Sequence, residues 1–125
     1  MVALAALLDR APAPRRLRTG VPDMTGHVLL ITGAGEHGQL GHALALRALG
    51  AGARIVISAR TDAVQQIAEE LTAHGDVAAL AADLTRDDDV SRLVAYVRER
   101  HSRLDALINV AGGLSVSGRV ADVDP

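Results

Sequence analysis

The stretch VLLITGAGEHGQLG, from Val28 to Gly41, constrains this chain more than any other. A short apolar run leads directly into a loop in which glycines recur every two or three positions. Gly33, Gly35 and Gly38 fit G-x-G-x-x-G, and Gly41 follows three residues later. In such a loop the first glycine permits the tight turn. The second lets backbone approach a pyrophosphate, and the third lets the following helix pack close to the strand. Free N–H groups at the helix start, together with the positive end of its dipole, then attract phosphate. The pattern therefore predicts a dinucleotide site, with Gly33, Gly35, Gly38 and Gly41 around the phosphates. A P-loop is excluded, because all thirteen basic residues are arginine and the chain has no lysine.

From residue 27 onward the pattern alternates between short apolar runs and helical spacing. Val28–Thr32 reads as a strand covered on both faces. Leu40, Ala43, Leu44 and Ala48 give the stripe of a helix that Gly50 and Gly52 stop. Residues 53–58 (ARIVIS) form a second strand. Thr61 or Asp62 can cap the next helix, whose Val64, Ile67, Ala68 and Leu71 share one face and which Gly75 ends. Residues 77–81 form a third strand. Asp87, Asp88 and Asp89 suit a helix N-terminus, and Val90, Leu93, Val94 and Val97 are that helix's apolar side. Residues 104–110 (LDALINV) form a fourth strand. The order βαβαβαβ predicts an α/β fold: a Rossmann-type, doubly wound parallel sheet with right-handed crossovers.

Residues 1–23 differ from the rest and read as a flexible extension ahead of a domain spanning 24–125. Their apolar stretch precedes its arginines, the reverse of a signal peptide, and is too short to span a membrane. A net charge of -2 favours neither nucleic acid nor an anionic membrane as a partner. The single aromatic, Tyr96, gives no platform for stacking bases. With no cysteine there are no disulfides, no thiol catalysis and no thiolate metal sites, which fits a cytoplasmic location. His37 and His42 are five apart, not the four of a helical metal pair, so no metal site is expected.

Three further places carry chemistry. A dinucleotide fold that binds NAD ends its second strand in a carboxylate for the ribose hydroxyls. Here that place reads Ser58-Ala59-Arg60. A carboxylate would repel a 2′-phosphate, whereas a guanidinium can pair with one, so Arg60 favours NADP over NAD. Asp83, after the third strand, is either an acceptor near the adenine edge or a turn or cap carboxylate, with Thr85 as the other candidate cap. Asn109 ends the fourth strand, and the small Ala111 and Gly112 let the backbone lie against a cofactor or simply make a turn. A methyltransferase loop would carry an acidic residue just before its glycines, where this chain has Ile31 and Thr32.

TGAGEHGQLGHALA, ARIVISAR, AADLT and LDALINVAGG, in this order, resemble the short-chain dehydrogenase/reductase family over about residues 24–125. The family's Asn-Asn-Ala-Gly appears as Asn109-Val110-Ala111-Gly112. Its common T-G-x-x-x-G-x-G spacing is two residues longer here, as in the divergent enoyl-acyl-carrier reductases, although their serine is replaced by Gln39, and the added length leaves open which of Gly35 and Gly38 faces the pyrophosphate. The resemblance implies NAD(P)-dependent hydride transfer to or from an alcohol, carbonyl or enoyl group of a small-molecule substrate, in a parent that is a homo-oligomer, and Arg60 narrows the cofactor to NADP. It places Asp83 at the adenine and Asn109, Ala111 and Gly112 on the ribose side. The family's catalytic serine and Tyr-x-x-x-Lys are absent; Tyr96 is followed four residues later by Arg100. The chain thus reads as the cofactor-binding half, truncated after the fourth strand and with no catalytic residue of its own. The alternative is a non-catalytic NADP(H)-binding module or sensor.

Overall fold

The structure, a computed structural model, describes residues 22–112. The 1–23 extension, but for its last two residues, and the segment after Gly112 lie outside them. Four parallel strands form the sheet: β1 (Val28–Thr32), β2 (Arg54–Ala59), β3 (Val77–Ala81) and β4 (Ala106–Asn109), in the order β3-β2-β1-β4. The helices between them are α1 (Leu40–Gly50), α2 (Ala63–Leu71) and α3 (Asp87–His101), with a 3-10 turn at Thr72–His74. This is the Rossmann-type α/β architecture that the alternation predicts.

The apolar runs work because a strand turns successive side chains to opposite faces. Leu29, Ile31, Ile55, Ile57, Val77 and Ala79 point to one side and meet Ala45, Ala48 and Leu49 of α1 and Val64, Ile67 and Leu71 of α2. Val28, Leu30 and Val56 point to the other and meet Leu93, Val94 and Val97 of α3. All five residues of β1 are buried, as a central strand with helices on both faces requires. Tyr96 is half-buried against the second cluster.

Two local expectations need correction. The buried line of α1 is Gly41, Ala45, Ala48 and Leu49, while Ala43 is exposed and Leu40 is 61% exposed. Gly41 packs so closely that the helix turns this side to the core, which rotates Leu40 out. Nor does a side chain cap α2. Thr61 and Asp62 accept its first hydrogen bonds through their carbonyl oxygens, from Val64 N and Gln65 N.

The open edge of β3 is closed by side chains. Gln65 Nε2 donates to the Ala79 carbonyl at 3.0 Å and Arg92 Nη2 to the Ala81 carbonyl at 2.8 Å, one from a helix on each face. Such cover occupies two of the acceptors that another strand would need. At the opposite end of the strands, Asp105 (side chain 7% exposed) joins β4 to β1. Its Oδ2 accepts from Val28 N–H at 2.7 Å and from Arg103 Nε at 2.9 Å.

Candidate functional site

A cleft of about 830 Å³ opens at the C-terminal ends of the strands, where parallel α/β sheets place their ligands. It is lined from the glycine loop by Gly33, Gly35 and Glu36, from the start of α1 by Gln39 and Leu40, and from the end of β2 by Ala59 and Arg60. Asp83, Leu84 and Thr85 form another wall, and Val110, Ala111 and Gly112 close the side beyond β4. Of the predicted site residues, Gly33, Gly35, Arg60, Asp83, Ala111 and Gly112 thus meet at one cleft. Gly38, Gly41 and Asn109 are not among its lining residues.

The glycines divide their work differently from the simple pattern. Gly33 (φ +78°) leaves β1 in the left-handed region, and a Cβ there would collide with the backbone of Val110 and Ala111. A Cβ on Gly35 would sit 2.8 Å from that of Ala59, so the loop crosses directly over the end of β2, next to Arg60. The close helix packing expected of Gly38 belongs to Gly41, whose Cβ would lie 2.6 Å from the Gly33 oxygen and 2.9 Å from Ala34 Cα. Gly38 instead serves the extra length of the loop, at φ +72° in open space. The loop tip is held outside the cleft. His37 Nε2 lies 3.1 Å from Glu70 Oε2 of α2, and the rings of His37 and His42 meet edge-on with centroids 5.1 Å apart.

The two helices that begin near this cleft contrast in charge. α1 starts at Gln39 with no side-chain cap and no acidic residue in its first turn. Its first N–H groups are therefore left for an external anion. α3 begins with Asp87, Asp88 and Asp89, and its positive end is already met by its own carboxylates. Arg60, the only arginine lining the cleft among the described residues, has no hydrogen bond or ion pair with another of them. Asp83 forms a turn rather than a cap: its Oδ1 accepts from Thr85 N–H at 3.0 Å and from Thr85 O–H at 2.6 Å. Those two bonds hold its carboxyl below the ordinary aspartate range, helped by the charges of Arg60 and Arg86 and opposed by slight desolvation.

Thr32 is a site residue that the apolar reading of β1 passes over. It is buried; its hydroxyl donates to Asn109 Oδ1 at 3.1 Å and accepts from Ala111 N–H at 3.4 Å. Asn109 thus acts through Thr32, and the pair sets the path of the chain into Ala111 and Gly112. The signal was a hydroxyl at the end of an otherwise apolar strand, a buried polar group that must find a partner. Glu36, Leu40 and Leu84 gave no such signal, since only the folded loop brings them to the cleft. Among the described residues no group of three or more His, Asp or Glu could hold a metal, and no helix is long and apolar enough to cross a membrane.

The comparison with known proteins agrees with this geometry. The family model for short chain dehydrogenase matches residues 27–125. A short chain dehydrogenase/reductase of Gibberella zeae is 36% identical over 110 residues, covering 87% of this chain and 40% of that protein. The rhamnolipids biosynthesis 3-oxoacyl-[acyl-carrier-protein] reductase of Pseudomonas aeruginosa is 40% identical over 90 residues, 71% of this chain and 34% of the reductase. A solved structure from the same organism, an RhlG/NADP active-site complex, superposes with a TM-score of 0.69 at 35% identity, over 77% of this chain and 38% of that one. The chain spans well under half the length of these relatives.

Proposed function

The chain belongs to the short chain dehydrogenase family, and from that premise we propose that its cleft binds NADP in preference to NAD and serves an NADP-dependent oxidoreductase. The observation that carries the cofactor choice is Arg60: an arginine that makes no salt bridge with a described residue, at the end of β2, where an NAD site would have a carboxylate. Its guanidinium would pair with the 2′-phosphate. The uncapped start of α1 and the loop through Gly33 and Gly35 would receive the pyrophosphate, with Gly41 holding helix and loop together and Gly38 allowing the loop its length. Asp83 would accept from the adenine, and Ala111 and Gly112 would lie beside the nicotinamide ribose, positioned by Thr32 and Asn109. The fit is supported by Gly33, Gly35 and Gly41, the three loop positions where a Cβ would fill the fold's crossings. The RhlG complex with NADP supports the same choice by similarity.

When bound, the nicotinamide would supply or accept hydride, and a small alcohol, carbonyl or enoyl compound would be the substrate. The 125 residues contain no lysine, so the family's Tyr-x-x-x-Lys is not among them. What this chain contributes is cofactor binding; proton transfer and oligomer formation would rest with the rest of a longer protein. The absence of cysteine supports a cytoplasmic setting.

Titration calorimetry of the full chain with NADP and NAD tests this reading. The chain should bind NADP more tightly, and Arg60→Asp should shift the preference toward NAD by on the order of 100-fold, as loss of a charge-assisted contact implies. An unchanged preference would remove Arg60 from the site.

A further inference from the structure

The wall of the cleft between β3 and α3 is held from behind by two residues that do not line it. Asp83 N–H donates to Asp89 Oδ2 at 2.7 Å. Arg92 Nη2 donates to the Ala81 carbonyl at 2.8 Å and to Asp89 Oδ1 at 3.3 Å. A carboxylate and a guanidinium, three residues apart on α3, therefore grip the backbone on both sides of the buried Ala82. On the cleft side, both hydrogen bonds that Thr85 makes to Asp83 end on Oδ1. Oδ2 is the carboxylate oxygen left without a hydrogen bond from a described residue. Asp83, Leu84 and Thr85 all line the cleft, so whatever fixes their backbone fixes the acceptor.

We infer that Asp89 and Arg92 are positioning residues for the base of the nucleotide, and that through Asp83 they set selectivity for a 6-aminopurine. The inference rests on the nucleotide reading above and adds to it the part that discriminates the base. The chemistry is that of donor and acceptor. An adenine presents an amino group that can donate to Asp83 Oδ2, whereas hypoxanthine presents a carbonyl oxygen there, which a carboxylate repels. Such selectivity requires the acceptor to stand within a few tenths of an ångström of hydrogen-bonding distance. Loss of the Asp89 acceptor frees the Asp83 N–H to seek another partner and releases the turn.

The test compares the full chain's affinities for NADP and for its hypoxanthine counterpart. Wild type should favour the adenine form, and Asp83→Leu should abolish the preference. Asp89→Ala should reduce it by roughly tenfold, the size of one good hydrogen bond. Asp89→Asn, which keeps an amide oxygen for the Asp83 N–H, should recover most of it. Should Asp89→Ala fail to fold, Arg92→Leu gives a second reading at a more exposed side chain, with a several-fold fall expected. An unchanged ratio in a folded Asp89→Ala or Arg92→Leu protein overturns the inference. So does an equal loss of both nucleotides, which is what a merely structural role would give. If wild type binds neither nucleotide, the cofactor reading itself falls; if it binds both equally, only the base selectivity does.

Discussion

The same glycine-to-alanine change should destabilise this chain at Gly41 and Gly38 but not at Gly50, and Gly41 is the severe case. Its added Cβ would lie 2.6 Å from the Gly33 oxygen and 2.9 Å from Ala34 Cα. Ordinary contacts of this kind need about 3.5 Å, so α1 and the glycine loop must part by most of an ångström. Neither neighbour is a side chain that can swing aside. Overpacking of this kind costs about 1–3 kcal/mol. The helix gains up to about 1 kcal/mol from losing a glycine, and less so close to its start. Steric cost wins, leaving a net loss of about 1–2 kcal/mol and a urea midpoint lower by roughly 1 M. Gly38→Ala meets open space but keeps φ +72°, costing about 1 kcal/mol. Gly50→Ala meets open space without a left-handed backbone and should be neutral or stabilising by about 0.5 kcal/mol. Urea unfolding followed by circular dichroism ranks the three. NADP titration should show weaker binding for Gly41→Ala alone of Gly41→Ala and Gly50→Ala, because only the former moves the start of α1. A Gly41→Ala chain as stable as wild type, with unchanged NADP affinity, would refute the packing argument.

Two other predictions concern the far end of the sheet. Burial pushes the His101 imidazole below the ordinary histidine range, with Asp76 opposing and Arg100 and Arg54 adding to the effect. The unfolded chain, protonating near ~6.5, therefore takes up more protons than the folded one. This stabilising contribution is complete above that pH and is lost as pH falls through the folded value. His101→Gln should flatten the urea midpoint between pH 7 and pH 5, and an unaltered slope would count against it. For Asp105, burial pushes the carboxyl up, but the Arg103 hydrogen bond, the Val28 N–H and the charges of Arg103 and His27 outweigh it and hold it low. Its contribution is present above ~3.9 and is lost as acid carries the pH through the lowered folded value. Asp105→Ala should cost about 2–3 kcal/mol by leaving the Val28 N–H buried and unpaired, and Asp105→Asn less; equal losses in chemical denaturation would show that the N–H does not matter.

The fold was legible because its determinants are local and periodic. Leu29, Ile31, Ile55 and Ile57 alternate with Val28, Leu30 and Val56, and two covered faces need nothing else. Strand ends were less so. Residue 53 reads as the start of β2, yet its N–H turns back to the Ala48 carbonyl at the end of α1. Residues 104, 105 and 110 read as part of the fourth strand, yet the bounds of β4 are Ala106–Asn109. Asp105 could not be read as a tie, because its partner Val28 lies 77 positions earlier. The exposure of Leu40 was hidden for a related reason: which side of α1 is buried depends on where Gly41 meets Gly33, not on the apolar count within the helix.

The site divides along the same line. Glycines and charges were legible as types, but their division of labour was not, because the loop reaches its helix contact three residues later than the G-x-G-x-x-G spacing that assigns the jobs. Thr32 to Gly41 must still end with a helix packed on a turn, and that contact needs a glycine wherever the helix arrives. The added length moves the arrival point from Gly38 to Gly41 and pushes residues 36–40 outward, all of them exposed. A loop thus extended would swing freely unless something held its tip, and the His37–Glu70 pair ties it to α2. Because both side chains are largely exposed, that pair contributes little to stability. Its effect would therefore fall on the position of Glu36 and Gln39 at the mouth of the cleft. His37→Ala should then leave the unfolding free energy, measured in urea, within about 0.5 kcal/mol of wild type while weakening NADP binding. A chain whose stability falls and whose binding holds would reverse that assignment.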